Sequence, residues 1–405
     1  MLSWLALDGR KILIARGLRA FAYGYLAVIL GAYLDLLGLA PLEIGLLLTG
    51  AIAGSAVMTV LWSLLADRVG RRRTVAIMAA LMAVGGMLFA LTGSFGLLLV
   101  GAFTGTISVT SSEVGVFQTV EQAILPQTAP NERRTWLFSI YNTVANFAQA
   151  LGSLAAGSVS AFAALGLNGA DAYRPLFVLY ALVGVVNLGL FVSLSPRVEL
   201  ARVEGERRFI GIHRSGGIVA RLAALFAFDA FAGGLVVHSI VAYWFFLRWG
   251  FDPGQLAVLF FFVNLLSGIS LLVAGWLASR IGLLNTMVFT HLPSNVLLVL
   301  VPLMPTAPLA VTLYLARMSL SQMDVPTRQS YTMAVVAPDE RTATAGILNL
   351  ARVCATALSP TLAGFAFGVA ALGLPFFLSG ALKVPYDLIL WRTFRHIRPP
   401  EEEVR

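Results

Sequence analysis

Long apolar runs separated by short polar gaps fill this chain almost from end to end. Each run approaches the roughly 20 apolar residues that a helix needs to cross a bilayer. The pattern predicts an all-α integral membrane protein. Its twelve spanning helices, spans 1 to 12, are predicted at residues 14–37, 42–65, 74–93, 96–122, 134–160, 174–195, 218–248, 254–279, 284–303, 307–334, 341–368 and 371–393.

The polar gaps alternate in positive charge. Arginine occurs in the gaps after spans 2, 4, 6, 8 and 10, whereas the gaps after spans 3, 9 and 11 contain neither lysine nor arginine. Basic loops stay on the cytoplasmic side of a membrane. We therefore expect a multi-pass protein of the cytoplasmic (inner) membrane, with its N- and C-termini in the cytoplasm.

An internal repeat relates the two halves of the chain. Segments of the first half recur in the second at offsets of 207 to 212 residues. The matching pairs are GLAPLEIG and GFDPGQLA, SLLADRVGRRRT and GWLASRIGLLNT, APNER and APDER, and GSLAAG and SPTLAG. We predict a six-helix bundle at 1–195, a cytoplasmic linker at 196–217 and a second six-helix bundle at 218–405. Because each half begins in the cytoplasm, the bundles are expected to be parallel.

Composition agrees with a membrane protein and narrows the function. The chain is 58% hydrophobic and only 12% charged, whereas soluble domains are about 25% charged. The net charge of +8 lies in the gaps between apolar runs, so we expect a lipid bilayer and no nucleic acid as partner. The four histidines are scattered, and neither a phosphate-binding loop nor a G-x-S-x-G motif occurs. We therefore expect no enzyme activity, no cofactor and no metal.

The charged stretch after span 2 carries a family resemblance. Residues Asp67 to Arg72 read DRVGRR and resemble the signature G-x-x-x-D-R-x-G-R-R of the major facilitator superfamily. A degenerate copy from Gly275 to Gly282 lies between spans 8 and 9, where that family has its second copy. The first glycine of the motif is Ser63 here, and span 5 lacks the G-P-x-x-G-G of the family's antiporters. The resemblance implies two parallel six-helix bundles that transport a small-molecule substrate by alternating access.

The resemblance also implies a gate. In the family, the motif's acid contacts a helix of the other half and closes the cytoplasmic side. The alternative is that the arginines only anchor the loop, but anchoring needs no acid. The predicted cytoplasmic gate consists of Asp67, Arg68, Gly70, Arg71, Arg72 and Glu121.

Ionisable residues inside the spans are concentrated in spans 1, 4, 7 and 10, the spans that line the central cavity in this family. An ionisable group at bilayer depth is costly, so each is a candidate for function. The predicted substrate and proton cavity contains Arg19, Glu113, Asn146, Asp229, His238, Arg317, Asp324, Arg328 and Arg352.

Two of these spans suggest specific roles. In a continuous span 4, Thr106, Thr110, Glu113 and Phe117 share one face, and Glu113 is the first candidate for a proton-carrying acid. Its alternative role is a permanent ion pair with a residue such as Arg19. His238 is either a titrating group or simply hydrogen-bonded.

Span 10 offers a second arrangement. Arg317 lies about 15 Å into this span, near the bilayer midplane. Asp324 follows at i+7 on the same face, and the two groups either share a bound solute or belong to an internal salt bridge. Lys383 and Asp387 of span 12 stand at i, i+4 and are expected to pair with each other.

The leading interpretation is a monomeric, proton-coupled secondary active transporter that exports small organic compounds. One alternative is a proton-coupled transporter, in either direction, of an anionic or zwitterionic metabolite. Another is a membrane scaffold or receptor that has the fold but does not transport.

Overall fold

The computed structural model describes residues 4–110, 115–130, 134–199, 214–336 and 340–396. Within these ranges the chain is helical and contains no strand. The described part has sixteen α-helices: α1 Leu7–Leu36, α2 Pro41–Val69, α3 Arg71–Leu91, α4 Phe95–Phe103, α5 Val116–Ile124, α6 Arg134–Ala155, α7 Ser158–Ala164, α8 Arg174–Val192, α9 Gly216–Gly234, α10 His238–Trp249, α11 Pro253–Ile281, α12 Leu283–Leu300, α13 Ala307–Ser321, α14 Asp324–Val335, α15 Arg341–Gly368 and α16 Leu374–Phe394.

The helices form a twelve-span membrane fold. Within the described ranges, nine helical segments are long and apolar enough to cross a membrane. They correspond to spans 1, 2, 3, 5, 6, 7, 8, 9 and 11. Spans 4 and 10 are each divided into two shorter helices, and α16, which forms span 12, carries the charged residues Lys383 and Asp387.

By compactness the chain divides into two units. Unit 1 comprises residues 1–204 and 237–261, and unit 2 comprises residues 205–236 and 262–405. Residues 200–213 of the predicted linker lie outside the described residues, and the predicted boundaries at 195 and 217 stay a prediction.

Helix pairing inside each unit follows the sequence repeat. In unit 1, α1 packs along α6 and α3 packs along α8. In unit 2, α9 packs along α15 and α12 packs along α16. Spans 1 and 5 and spans 3 and 6 therefore pair in the first half, as spans 7 and 11 and spans 9 and 12 do in the second. The shared pairing supports the duplication inferred from sequence.

The continuous helix expected for span 4 is wrong. Residues 104–110 of span 4 are not helical, and Gly105 has a φ of 70°, which L side chains rarely adopt. Thr106 and Thr110 lie in this segment, so they do not share a helical face with Phe117. In span 10 the chain leaves the helix after Ser321 and resumes it at Asp324. Span 7 is also interrupted, between Gly234 and His238.

Candidate functional site

Asp229 on α9 is the centre of a buried group of charged side chains in unit 2. Its Oδ1 accepts a hydrogen bond from Lys383 Nζ on α16 at 2.7 Å. Its Oδ2 lies 3.3 Å from Arg352 Nη1 on α15 and 3.6 Å from Arg328 Nη1 on α14. Three cations from three helices therefore face one carboxylate, and three of the predicted cavity residues come together.

Asp387 connects α16 to α12. Its Oδ1 lies 2.8 Å from His291 Nδ1, and its Oδ2 accepts a hydrogen bond from Asn295 Nδ2 at 3.0 Å. On the other side of the imidazole, Lys383 Nζ lies 3.4 Å from His291 Nε2. The expected pairing of Lys383 with Asp387 is therefore wrong, because each residue has its partner on another helix.

Asp324 joins this group through its own helix. It is the first residue of α14, and its Oδ2 accepts a hydrogen bond from Arg328 Nη1 at 2.6 Å. The helix is interrupted at residues 322–323, just before Asp324, and the predicted shared face with Arg317 stays a prediction. Pro326 follows within the first turn, a position where its missing N–H costs no helical hydrogen bond. For Asp324 the structure favours the internal salt bridge over a solute shared with Arg317.

These contacts define one network, called here the unit 2 charge network. Its three carboxylates and three cations give a formal net charge of zero when its histidine is neutral. Buried charges are tolerated only when they are paired and hydrogen-bonded. The members are Asp229, His291, Asp324, Arg328, Arg352, Lys383 and Asp387.

Arg317 on α13 differs from the cations of the network. Its exposed fraction is 9%, and its Nη1 contacts Met318 Sδ at 3.1 Å. Its guanidinium carbon lies 5.8 Å from the centre of the Tyr314 ring, and its Nε has no hydrogen-bond partner. Among the residues that the structure describes, no carboxylate lies within 4.0 Å of this guanidinium. The side chain is thus a buried cation without a counter-ion in this part of the chain.

Arg19 and Glu121 form an ion pair inside unit 1. Arg19 Nη2 lies 2.7 Å from Glu121 Oε1, and both side chains are fully buried. Arg19 Nη1 also donates to Asn187 Oδ1 at 3.0 Å, and the Tyr141 hydroxyl donates to Glu121 Oε2 at 2.8 Å. The Arg19 guanidinium lies 4.3 Å from the centre of the Phe117 ring. Glu121, predicted with the gate motif, is therefore the carboxylate that neutralises Arg19.

The non-helical part of span 4 is tied to α10 within unit 1. His238 Nδ1 lies 2.6 Å from the Thr110 carbonyl oxygen. The backbone N–H and the hydroxyl of Ser239 donate to the Val109 carbonyl at 3.2 and 3.1 Å. For His238 the hydrogen-bonded alternative is what the structure shows. Glu113, the predicted proton carrier, lies outside the described residues.

The signature motif makes its described contacts inside unit 1. Gly70 has a φ of 104° and separates α2 from α3. The Glu199 carboxylate accepts hydrogen bonds from the backbone N–H groups of Arg71 and Arg72 at 2.6 and 3.1 Å, and so caps α3. The side chains of Asp67 and Arg68 lie outside the described residues, so the gate stays a prediction.

Asn146, which was predicted for the cavity, is exposed on α6.

Some residues of the sites were not predicted from sequence. Four of the missed residues were visible as polar residues at i, i+4 in spans 9 and 12, and two such pairs on adjacent helices were a usable signal. The pair in span 12 was discounted because this span is peripheral in the family that the motif resembles. The missed residues are His291, Asn295, Lys383 and Asp387 in unit 2, and Tyr141 and Asn187 in unit 1.

The chain is similar in sequence to a known family of membrane proteins. The family model described as Major Facilitator Superfamily matches residues 12–360. An uncharacterized membrane protein of Saccharomyces cerevisiae (strain ATCC 204508 / S288c), YJR124C, is 25% identical, over 92% of this chain and 91% of its own length.

Solved structures share the fold. A bacterial homolog of the human lysosomal transporter Spinster, in an inward-facing and unoccupied conformation, aligns with a TM-score of 0.75 and 16% identity, over 98% of this chain and 99% of that one. A D-xylose–proton symporter aligns with a TM-score of 0.71 and 16% identity, over 95% of this chain and 97% of that one.

Proposed function

The chain belongs to the major facilitator superfamily, and from this premise we propose that it is a proton-coupled secondary active transporter of a small organic solute. The observation that carries the proposal is the unit 2 charge network. Burying several ionisable groups in membrane-spanning helices is costly, and apolar residues of similar volume are often as stabilising. A network of three carboxylates, three cations and a histidine is therefore better explained by function than by stability.

The interrupted spans are consistent with such a transporter. Substrate and ion sites of secondary transporters are often formed where helices are discontinuous, since unwound backbone supplies polar groups there. Spans 4, 7 and 10 are interrupted here, and two of them, spans 7 and 10, carry Asp229 and Asp324 of the network. A structural neighbour that couples D-xylose to protons adds support for proton coupling.

A second observation favours a particular class of solute. The buried guanidinium of Arg317 has no carboxylate partner in the described part of the chain, and guanidinium groups bind carboxylate and phosphate groups through two parallel hydrogen bonds. An anionic or zwitterionic metabolite would supply the missing negative charge. We therefore place the anionic group of the solute at Arg317.

Export is the direction that we propose, on the general resemblance of the chain to bacterial efflux members of the superfamily. The proposed location is the cytoplasmic (inner) membrane, with both termini in the cytoplasm. The proposed transporter is a monomer. The contrasting function is a membrane scaffold or receptor that does not transport.

The test is solute flux in liposomes that contain the purified protein. Thermal-shift screening first selects solutes from matched pairs, such as lactate with lactamide and glycerol phosphate with glycerol. The expected result is carrier-dependent flux of the anionic member of a pair. Arg317→Gln should weaken its binding by about 10- to 100-fold, because a hydrogen bond to a charged group contributes roughly 1.5–3 kcal/mol. Arg317→Lys should retain part of the affinity.

Arg395→Gln is the matched control, since this arginine lies at the exposed end of α16. Equal binding of the neutral partners, or no loss in Arg317→Gln, would rule out the anionic solute. An absence of carrier-dependent flux for every solute that binds would favour the scaffold or receptor.

A further inference from the structure

His291 on α12 lies between a carboxylate and an ammonium group, and we propose that it is the residue that takes up the transported proton. The inference rests on the proposed proton coupling and gives it a site in unit 2. It differs from the prediction from sequence, which assigned the proton to Glu113.

The hydrogen bonds around His291 define its protonation in this structure. Asp387 Oδ1 lies 2.8 Å from Nδ1, and an ionised carboxylate only accepts hydrogen bonds, so Nδ1 carries the proton. Nε2 then has a free lone pair, which faces Lys383 Nζ at 3.4 Å. Since an ammonium group only donates, this contact also requires an unprotonated Nε2. These contacts fit the tautomer that carries its proton on Nδ1, which leaves Nε2 as the nitrogen that can take up a further proton.

A second proton on His291 changes the partners of Asp229. The new Nε2–H would face the ammonium group of Lys383, so two donors with like charge would stand 3.4 Å apart. The Asp229 Oδ1 atom lies 3.9 Å from Nε2 and can accept the new hydrogen bond once the two side chains approach by about 1 Å. His291 then competes with Lys383 for Asp229, and the network changes from zero net charge to +1.

In the described part of the chain, the other charged and titratable groups around α12 do not hydrogen-bond to the His291 ring. The Tyr386 ring of α16 stands perpendicular to the imidazole, with ring centres 6.1 Å apart. From α14, Asp324 is held by Arg328, and the Tyr331 hydroxyl donates to the Phe394 carbonyl at 3.3 Å.

The remaining groups come from three helices. On α13, Arg317 lies against Met318 and the ring of Tyr314. On α15, Arg352 meets the network through Asp229 on α9. Protonation of His291 therefore affects the rest of the network through Asp229.

The proton would thus alter helix contacts near the interruption of span 7. Asp229 lies on the last part of α9, which ends at Gly234. Its partners tie α9 to α15 and α16. Weakening the bond to Lys383 removes one polar contact between α9 and α16, while Arg352 and Arg328 stay on Oδ2. Proton binding on α12 is in this way coupled to the position of α9.

The proton site can be tested without a substrate by ¹⁵N NMR of ring-labelled histidine in the full chain in nanodiscs. The chain has only four histidines, and His291→Gln identifies the signal of His291. We expect one protonated and one unprotonated ring nitrogen at about pH 8.5, and two protonated nitrogens at about pH 5.5. His396→Gln, at the exposed end of α16, is the control and should leave the His291 signal unchanged. A His291 ring that keeps a single proton on Nδ1 over this range would overturn the proposal.

A flux measurement separates this proposal from the proposed function. Under a pH gradient, His291→Gln and Asp387→Asn should lower solute accumulation at least about tenfold, while solute exchange at equal pH falls by less. Accumulation equal to wild type in His291→Gln would refute the assignment and leave the coupling intact. If the wild-type protein shows no gradient-driven flux, the proposed coupling is wrong, and the NMR titration still decides whether His291 binds a proton.

Discussion

Arg19 and Glu121 illustrate how this protein keeps charges inside its helices. Both side chains are fully buried, and each has a second polar partner, Asn187 for the arginine and Tyr141 for the glutamate. Each charged group of the pair thus has two polar partners in the protein. A pair of this kind adds little stability over apolar side chains, but the loss of one member leaves an isolated buried charge.

Glu121→Gln is therefore expected to lower the free energy of unfolding by about 3–5 kcal/mol. Titration of the purified protein with SDS measures this loss of unfolding free energy. The double variant Arg19→Met/Glu121→Leu should lose less unfolding free energy than the single variant, because both charges are removed together. Asp171→Asn breaks the half-exposed pair with Arg174 and should cost at most about 1 kcal/mol. Equal losses for Glu121→Gln and Asp171→Asn would contradict this account of the buried pair.

At the scale of helices, small residues set the distance between paired spans. A Cβ atom added to Gly184 of α8 would stand 2.6 Å from the Ala83 backbone nitrogen of α3. In unit 2, a Cβ added to Gly234 of α9 would stand 2.7 Å from the Ser359 side chain of α15. Without water to drive association in the bilayer, such close backbone approach is a main source of helix–helix attraction.

Gly184→Ala should accordingly destabilise the protein by about 1–3 kcal/mol, since the backbone of α3 cannot move aside cheaply. Gly189→Ala on the same helix is the matched control, because nothing lies within 4 Å of its added Cβ. That control should be neutral or stabilising by up to about 1 kcal/mol. Thermal unfolding of the two variants in the same detergent measures both changes in stability. A Gly184→Ala variant as stable as the control would show that α3 and α8 are not in tight contact.

The positions of most helices could be predicted from the sequence, but the interruption of span 4 could not. An apolar run predicts a span whether or not its backbone is helical throughout, so span 4 gave the same signal as a continuous helix. The break before Asp324 depends on the turn at residues 322–323, which hydropathy does not register.

At the scale of the whole molecule, the twelve spans and the repeat follow from patterns that the chain carries locally. The contacts of the site do not follow from local patterns, because the residues that pair there are distant in sequence. Lys383 and Asp387 look like a pair within one helix, yet Lys383 binds Asp229, 154 residues away, and Asp387 binds His291, 96 residues away. Only the packing of α9, α12 and α16 shows these contacts. Charge at bilayer depth therefore identified Asp229 as a candidate for function without identifying its partners.

The most direct test of the central claim is the accumulation of a labelled solute under a pH gradient, in liposomes containing the protein. Wild type should accumulate the solute up to about tenfold per pH unit for each coupled proton. Asp229→Asn should exchange solute at a measurable rate but lose this accumulation, and Asp171→Asn should behave as wild type. A wild-type protein that only equilibrates its solute, with or without the gradient, would contradict proton-coupled transport.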